Sequence, residues 1–509
     1  MRSLVKGLAA PKNVAPYLIF LAALTVRLTV WWFIPVDWNW DSYHHWQISY
    51  LSLRGGFSGG RLWDLNGCEY IWGMVPHLAE ATLMGLLNTS SIEPYRALNV
   101  LLGSTNAALV HLIGSRFYSS RNGLLAGLLV AVFPVAAVFD VLAMQDTMAL
   151  TLMLASLYLI RDRPFWSGLA LALAGQSRAE YLAAGFIILA GYCMRERLST
   201  ESLPYVLGWV LGTGVFSFHL FTQTGNPFYH LYVSLFNVFG GFDPGNQGKS
   251  FASLAVEWVA WKLSVWPTKP TGLLILLDGA SAIVMVPLMA WRRWFRYQPQ
   301  LYFVAVTAFQ LPTFITYLGS DHELLLIMLR MATPIAALGY PILVHASNMV
   351  FVNKMHGVRI RPEHILLAAS TLSFLYFVPL YQGFQAHASD AFLSGDIVAA
   401  EYGGGVIVCD HPTINYRLVN TGAVDVSNLL GNHYSPAFYG ITEPSEYLAW
   451  MRNRQVSMWL RYDYRSDPVW AVMEANYPGV LVWVTDTSCA GVYAVDQALI
   501  SELLGRGNT

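Results

Sequence analysis

Charge is what this sequence has least of. Asp, Glu, Lys and Arg together make up 12% of its 509 residues, against about 25% in an ordinary soluble chain. So few charges cannot cover the surface of a soluble protein this large. Cysteine is scarce as well, and four residues do not make a disulfide framework. There is no P-loop and no Gly-rich fingerprint set between a strand and a helix, so nothing points to a nucleotide site. No internal repeat or low-complexity tract is visible. Thirty Lys and Arg balance thirty-one Asp and Glu, for a net charge of −1, and no basic excess suggests a nucleic-acid partner. Residues 1–16 lack the short apolar core and small-residue cleavage site of a signal peptide.

What the chain has instead is apolar surface. Hydrophobic residues reach 55% and aromatics 14%, and mean hydropathy is +0.44. That excludes disorder and points to a polytopic membrane protein. A span needs about 20 apolar residues. About eleven candidates follow, at 15–36, 95–115, 122–140, 147–160, 164–177, 180–194, 203–221, 271–291, 300–318, 328–350 and 364–383. With the N-terminus in the cytoplasm, each short cytoplasmic loop carries at least two basic residues, among them Arg116 with Arg121, Arg161 with Arg163, and Arg292, Arg293 and Arg296. This is the positive-inside pattern. Two long outer loops result, 37–94 and 222–270. Residues 71–87 read as an interfacial or re-entrant helix, because a further span there would invert every later loop.

The domain reading is a multi-span region over 1–384 and an extracytoplasmic α/β domain over 385–509. In the latter, 406–410 (VIVCD) and 480–484 (VLVWV) read as buried strands, and Pro444–Arg454 as a helix with Pro near its first turn. Cys409 and Cys489, near the strand ends, are either a disulfide or two buried thiols.

The polar residues gather on the outer side. The first loop opens with Asp37, Asp41, His44 and His45 directly after a span. A carboxylate there is partly desolvated, which suits a general base or a metal ligand. Asp41 is the first choice and Asp37 the second. Asp41 stands i,i+3 and i,i+4 from His44 and His45, which fits an oriented acid–imidazole pair, a metal pair, or a helix start capped by Asp41. The tryptophans of this stretch read as an aromatic belt. Glu69 lies further along the loop. Asp146 opens the next outer turn in Gln145-Asp146-Thr147, Arg178 and Glu180 lie in another, and His322 precedes Arg330-Met-Ala-Thr-Pro334. A guanidinium such as Arg330 suits a phosphate oxygen or a lipid headgroup. Arg27 lies inside the first span and calls for an acidic partner or a route to the interface.

Over 15–383 the chain resembles the GT-C superfamily of integral-membrane glycosyltransferases, which includes protein O-mannosyltransferases and the aminoarabinose transferases of lipid A. The resemblance rests on Asp37 with Asp41-Ser-Tyr-His, Tyr95-Arg-Ala-Leu-Asn-Val-Leu-Leu-Gly, Gln145-Asp146-Thr147 and Leu329-Arg330-Met-Ala-Thr-Pro334, in that order and on one side. It implies an all-α polytopic fold and inverting transfer of a sugar from a polyprenyl-phosphate donor to a glycan, lipid or protein acceptor. Asp41 would then be the base, with Asp37 beside it and Asp146 in support. Arg330 and Arg178 would neutralise the lipid phosphate, and His44, His45, Glu69 and His322 would line the substrate. A divalent cation, Mg or Mn, is possible through Asp37, Asp41 and His44, although these acids do not form an Asp-x-Asp. Met331 replaces the family's usual Tyr, and no Trp-Trp-Asp motif of oligosaccharyltransferases is present. The competing classes are a transporter or flippase of a lipid-linked molecule and a non-catalytic scaffold.

Overall fold

The computed structural model describes residues 14–55, 72–196, 200, 202–238, 246, 248–265, 298–316, 326–351, 362–430, 443–461 and 468–506. Glu69, His322 and the expected span at 271–291 lie outside the described residues.

The contacts divide the chain into two units: Met1–Pro35, Tyr70–Pro76 and Arg96–Tyr381 form one, and Val36–Glu69, His77–Tyr95 and Gln382–Thr509 the other. A single linear boundary at 384/385 therefore partitions the chain differently from its packing, because parts of the first long loop pack with the C-terminal residues.

The first unit is helical. Its described helices are α1 (Ala15–Phe33), most of α4 (Glu93–Phe117), α5 (Ser120–Ala131), α6 (Pro134–Phe139), α7 (Asp146–Leu159), α8 (Pro164–Gly175), α9 (Ala179–Arg195), α10 (Leu203–Thr224), α11 (Tyr229–Val238), α12 (Phe251–Val265), α13 (Gln298–Thr316), α14 (Ala332–Phe351) and α15 (Pro362–Gly383). The labels α2 (Trp40–Gly55) and α3 (Met74–Leu87) belong to the first long loop. Among the described residues four helical stretches are long and apolar enough to cross a membrane: Ala15–Phe33, Glu93–Phe117, Leu203–Thr224 and Leu326–Ala346. The expected span at 122–140 is instead two helices, α5 and α6, broken where Pro134 cannot donate to the preceding turn. The spans expected at 147–160 and 164–177 are the short helices α7 and α8. Leu18, Leu21 and Trp32 on α1, and Val215 and Phe218 on α10, are exposed. Such faces are solvated by lipid, and the protein is an integral membrane protein.

Helix packing in this unit relies on small residues. Gly168 on α8 lies against the carbonyl of Tyr205, and Gly208 on α10 against that of Phe165; a Cβ at either position would stand 2.0 Å from the oxygen. Reciprocal glycines let two backbones approach closely where lipid provides no hydrophobic drive.

The second unit is built on a five-stranded sheet with order β2-β1-β3-β5-β4. Its elements are α2, α3, α16 (Gln385–Glu401), β1 (Val406–Val408), α17 (Pro412–Asn420), β2 (Leu429–Leu430), α18 (Pro444–Asn453), β3 (Val456–Arg461), α19 (Pro468–Asn476), β4 (Leu481–Asp486), β5 (Gly491–Val495) and α20 (Gln497–Arg506). β1 is parallel to β2 and β3, whereas β5 is antiparallel to β3 and β4. Alternation along β3 sends Met458 and Leu460 to a core shared with α2, α16 and α17, and Trp459 to one shared with α18, α19 and α20. Helix α18 starts as its residues predict, with Pro444 in the first turn and a capping box between Glu443 and Glu446. Strand β4 is not the buried strand expected: it is the sheet edge, with Val482 and Trp483 exposed. Cys409 and Cys489 are thiols, not a disulfide, and Cys409 is buried.

Gly168→Val should drive the new side chain into the Tyr205 carbonyl and cost about 3 kcal/mol or more, read as lost monodisperse protein and a lower Tm in detergent. Gly214→Val, at a glycine of α10 with nothing within 4 Å, should leave both unchanged.

Candidate active site

In the first unit the polar residues collect around 140–147, between α6 and α7. Non-helical backbone inside a membrane domain must find its partners within the protein, and α4 supplies them. Arg96, Asn99, Gly103 and Asn106 recur at intervals of three, four and three, along one face of the helix. Arg96 donates from Nε to the Val141 carbonyl at 2.9 Å, and from its terminal nitrogens to the Pro35 and Ile34 carbonyls at 2.7 and 2.9 Å. Asn99 donates to Leu142 and Met144 carbonyls at 2.7 and 2.8 Å, and Asn106 to that of Thr147 at 3.4 Å. Gly103 leaves the space that the Asp140 carboxylate fills, since a Cβ there would lie 2.2 Å from Asp140 Oδ2.

Asp140 in turn answers the question of Arg27. The Arg27 guanidinium is fully buried and pairs with Asp140 Oδ2 at 2.7 Å from Nη2 and 2.9 Å from Nε; Thr147 donates to the other carboxylate oxygen at 2.7 Å. Arg27 does not snorkel. Asp146 begins α7 and accepts from Arg178 Nη1 at 3.1 and 3.2 Å. Arg178 also binds Glu180, Nη2 to Oε1 at 2.9 Å and Nε to Oε2 at 3.3 Å, so all three of its nitrogens engage carboxylates. Arg330 is buried in a 3-10 turn, Leu329–Met331, with Nη1 4.0 Å from the Met144 sulfur and within electrostatic reach of Glu180. The structure thus brings Asp146, Arg178 and Arg330 into one polar cluster. In the second long loop, buried His230 shares a 3.1 Å hydrogen bond with the Gly175 carbonyl, and burial pulls its pKa down to about 4.

In the second unit, the start of α2 carries the acids of the first loop. The cap is Asn39, not Asp41: its side-chain oxygen accepts the Asp41 N–H at 2.9 Å. Asp41 is therefore a half-exposed first-turn residue. Asp37 is buried; its carboxylate accepts the Asn39 N–H at 2.9 Å, and its carbonyl accepts the Tyr43 hydroxyl at 2.6 Å. His44 is half-buried and His45 buried, on different sides of the helix as adjacent residues must be. His45 Nδ1 lies 3.1 Å from His77 Nε2 on α3. One turn on, Ser49 donates to Glu80 Oε2 at 2.8 Å. Glu80 is buried. Its burial pushes the carboxyl up, the Ser49 hydrogen bond opposes this, and the charge of Asp37 adds to it, leaving a pKa of about 8. Trp38 and Trp46 do not form a belt. Both are buried, and the Trp46 indole donates to the Ser90 carbonyl at 2.7 Å.

No protein-family model matches this sequence, and no curated protein matches it. Solved structures do. ArnT from Cupriavidus metallidurans bound to undecaprenyl phosphate aligns with a TM-score of 0.53 at 13% identity, over 96% of this chain and 99% of that one. The same protein in the apo state aligns at 0.48 and 12%, over 94% and 98%. The Archaeoglobus fulgidus oligosaccharyltransferase tethered with an acceptor peptide containing the NVT sequon aligns at 0.47 and 12%, over 96% and 74%. The chain has the fold of ArnT.

Among the described residues the metal set suggested by Asp37, Asp41 and His44 is not assembled. Among the described residues no group of three His, Cys, Asp or Glu side chains could hold a metal ion. Glu80 has no place in the sequence reading, and Arg96 and Asn99 enter it only within the stretch from Tyr95 to Gly103, with no role of their own. Glu80 was signalled by being the single acid in an apolar stretch, and the α4 pair by the polar and small residues at helical spacing.

Removing one partner of the buried Arg27–Asp140 pair strands the other charge. Arg27→Met should cost about 3–5 kcal/mol, and Arg27→Met with Asp140→Leu should recover much of it, both read as Tm in detergent. Glu80 sets a pH dependence. Its folded pKa, about 8, lies above the ordinary glutamate value of 4.5, so between those values the folded state holds a proton that the unfolded state has lost, and stability falls as pH rises. Glu80→Gln should therefore raise Tm most above pH 8, by roughly 2–4 °C per kcal/mol relieved, with the gain vanishing toward pH 4.5. An equal gain at both ends of that range would contradict this account.

Proposed function

We propose that the protein is a glycosyltransferase that moves a sugar from a polyprenyl-phosphate carrier to an acceptor hydroxyl at the outer membrane face, with inversion. The observation that carries this reading is the fold, shared along nearly the whole chain with ArnT from Cupriavidus metallidurans, solved bound to undecaprenyl phosphate. Asp41 is the proposed base. It is half-exposed in the first turn of α2, four residues after buried Asp37.

In the proposed step the acceptor oxygen attacks the anomeric carbon, its proton passes to the Asp41 carboxylate, and the bond from that carbon to the phosphate oxygen breaks. The leaving group is a lipid phosphate that gains negative charge, which fixed cations stabilise more in the transition state than in the ground state. Arg330 is the first choice for that task. Arg178 assists less, because Asp146 and Glu180 already take its nitrogens, and Asp146 supports the site by holding Arg178. A transporter would depend on intramembrane residues such as Arg27, and the pairing of Arg27 with Asp140 accounts for that cation without a cargo.

The test is sugar transfer from a panel of radiolabelled polyprenyl-phosphate monosaccharides to native membrane extract. Asp41→Asn should lower transfer by about 10²–10⁴-fold, and Arg330→Gln by about 10²-fold, both as folded protein. Transfer by Asp41→Asn at the wild-type rate removes Asp41 as base, and no transfer from any donor by intact wild type removes the enzyme reading.

A further inference from the structure

We infer that the α/β part of the chain carries a carbohydrate-binding subsite, formed by β3, α19, β4 and β5, that takes a neutral sugar residue of a glycan. The inference is independent of the transferase reading.

These elements enclose a cavity of about 440 Å³, within the ~300–1,000 Å³ usual for small-molecule sites. Its lining includes Arg461, Trp470, Glu474, Tyr477, Trp483 and Tyr493. The Arg461 guanidinium lies 3.7 Å from the Trp470 ring centroid, and Trp470 meets Tyr493 at 5.8 Å between centroids. Trp483 is 59% exposed on the edge strand, where a bare indole would ordinarily be a liability for aggregation.

The mixture specifies the ligand. A pyranose presents C–H groups on its faces and hydroxyls around its rim. The electron-rich face of an indole or phenol receives the C–H face. The hydroxyls need donors and acceptors together, and Arg461 supplies the first and Glu474 the second. With one charge of each sign the site has no net pull on phosphate, sulfate or uronate. A face built for lipid would have no reason to line a concavity with Glu474. A peptide adding to the edge of β4 would use backbone groups of β4 and leave the ring-lined cavity unused.

The experiment measures binding of maltotetraose, chitotetraose, mannotetraose and, as the acidic control, tetragalacturonate to the full-length protein in lipid nanodiscs, by intrinsic tryptophan fluorescence and by calorimetry. At least one neutral glycan should bind, with affinity falling about tenfold or more in Trp483→Ala and in Arg461→Ala, and largely retained in Trp483→Phe, which keeps an aromatic face. All three variants should keep the wild-type Tm. The inference is overturned if no neutral glycan binds, if only the acidic one does, or if Trp483→Ala and Arg461→Ala bind as wild type. It is equally overturned if Trp483→Ala changes only association with empty liposomes, which would make that residue a membrane contact. Sugar transfer by the same variants, scored separately, leaves this outcome and the transferase outcome distinguishable.

Discussion

Backbone that leaves the helix inside a membrane domain cannot turn to water for its hydrogen bonds. In this protein the stretch 140–147 does so, and much of the first unit is arranged to satisfy it. One face of α4 provides Arg96, Asn99 and Asn106 as donors to its carbonyls, and Gly103 as the space for its carboxylate. Arg27 and Thr147 complete that carboxylate. The outcome is an irregular segment held from several sides, ending in Asp146 at the start of α7. A side chain positioned in this way stands on rigid support, which is what a site needs if its groups are to keep their geometry.

The charges of this unit are correspondingly committed. Arg27 belongs to Asp140, and Arg178 to Asp146 and Glu180. Arg27 and Arg178 each have an opposite charge and hydrogen bonds, the condition under which ionic groups are tolerated away from water. The second unit treats its titratable groups differently. Glu80 is buried with a serine hydroxyl rather than a cation, and so holds its proton over the neutral range. His45 and His77 meet through ring nitrogens, an arrangement that two imidazolium ions would not adopt, since both nitrogens would then be donors.

Where the reading of residues and the structure part, the reason is usually a partner far along the chain. The tryptophans after the first span look like a belt because belts and buried aromatic clusters share composition; Trp46 is claimed by the Ser90 carbonyl and by Tyr416. Asp41 looks like a helix cap because acids are good caps, but Asn39 stands two residues earlier and takes the bond. The strand 480–484 looks buried because it is apolar, yet the order of the sheet places β4 at the edge. The two cysteines near strand ends look pairable, and remain thiols.

The sequence by itself determined the class of protein and the kinds of chemistry available to it. Twelve per cent charge with 55% hydrophobic residues leaves few solutions outside the membrane, and the acids and guanidinium groups were visible as exceptions to that background. The start of α18 was legible too, because Pro444 and the Glu443–Glu446 box act over one turn. Tertiary structure alone decided which exceptions are partners. The pairing of Arg27 with Asp140 spans 113 residues, and that of Arg178 with Asp146 spans 32. A local pattern carries information over a helical turn, whereas the cost of burying an ion is settled by whichever chain segment packing brings to it.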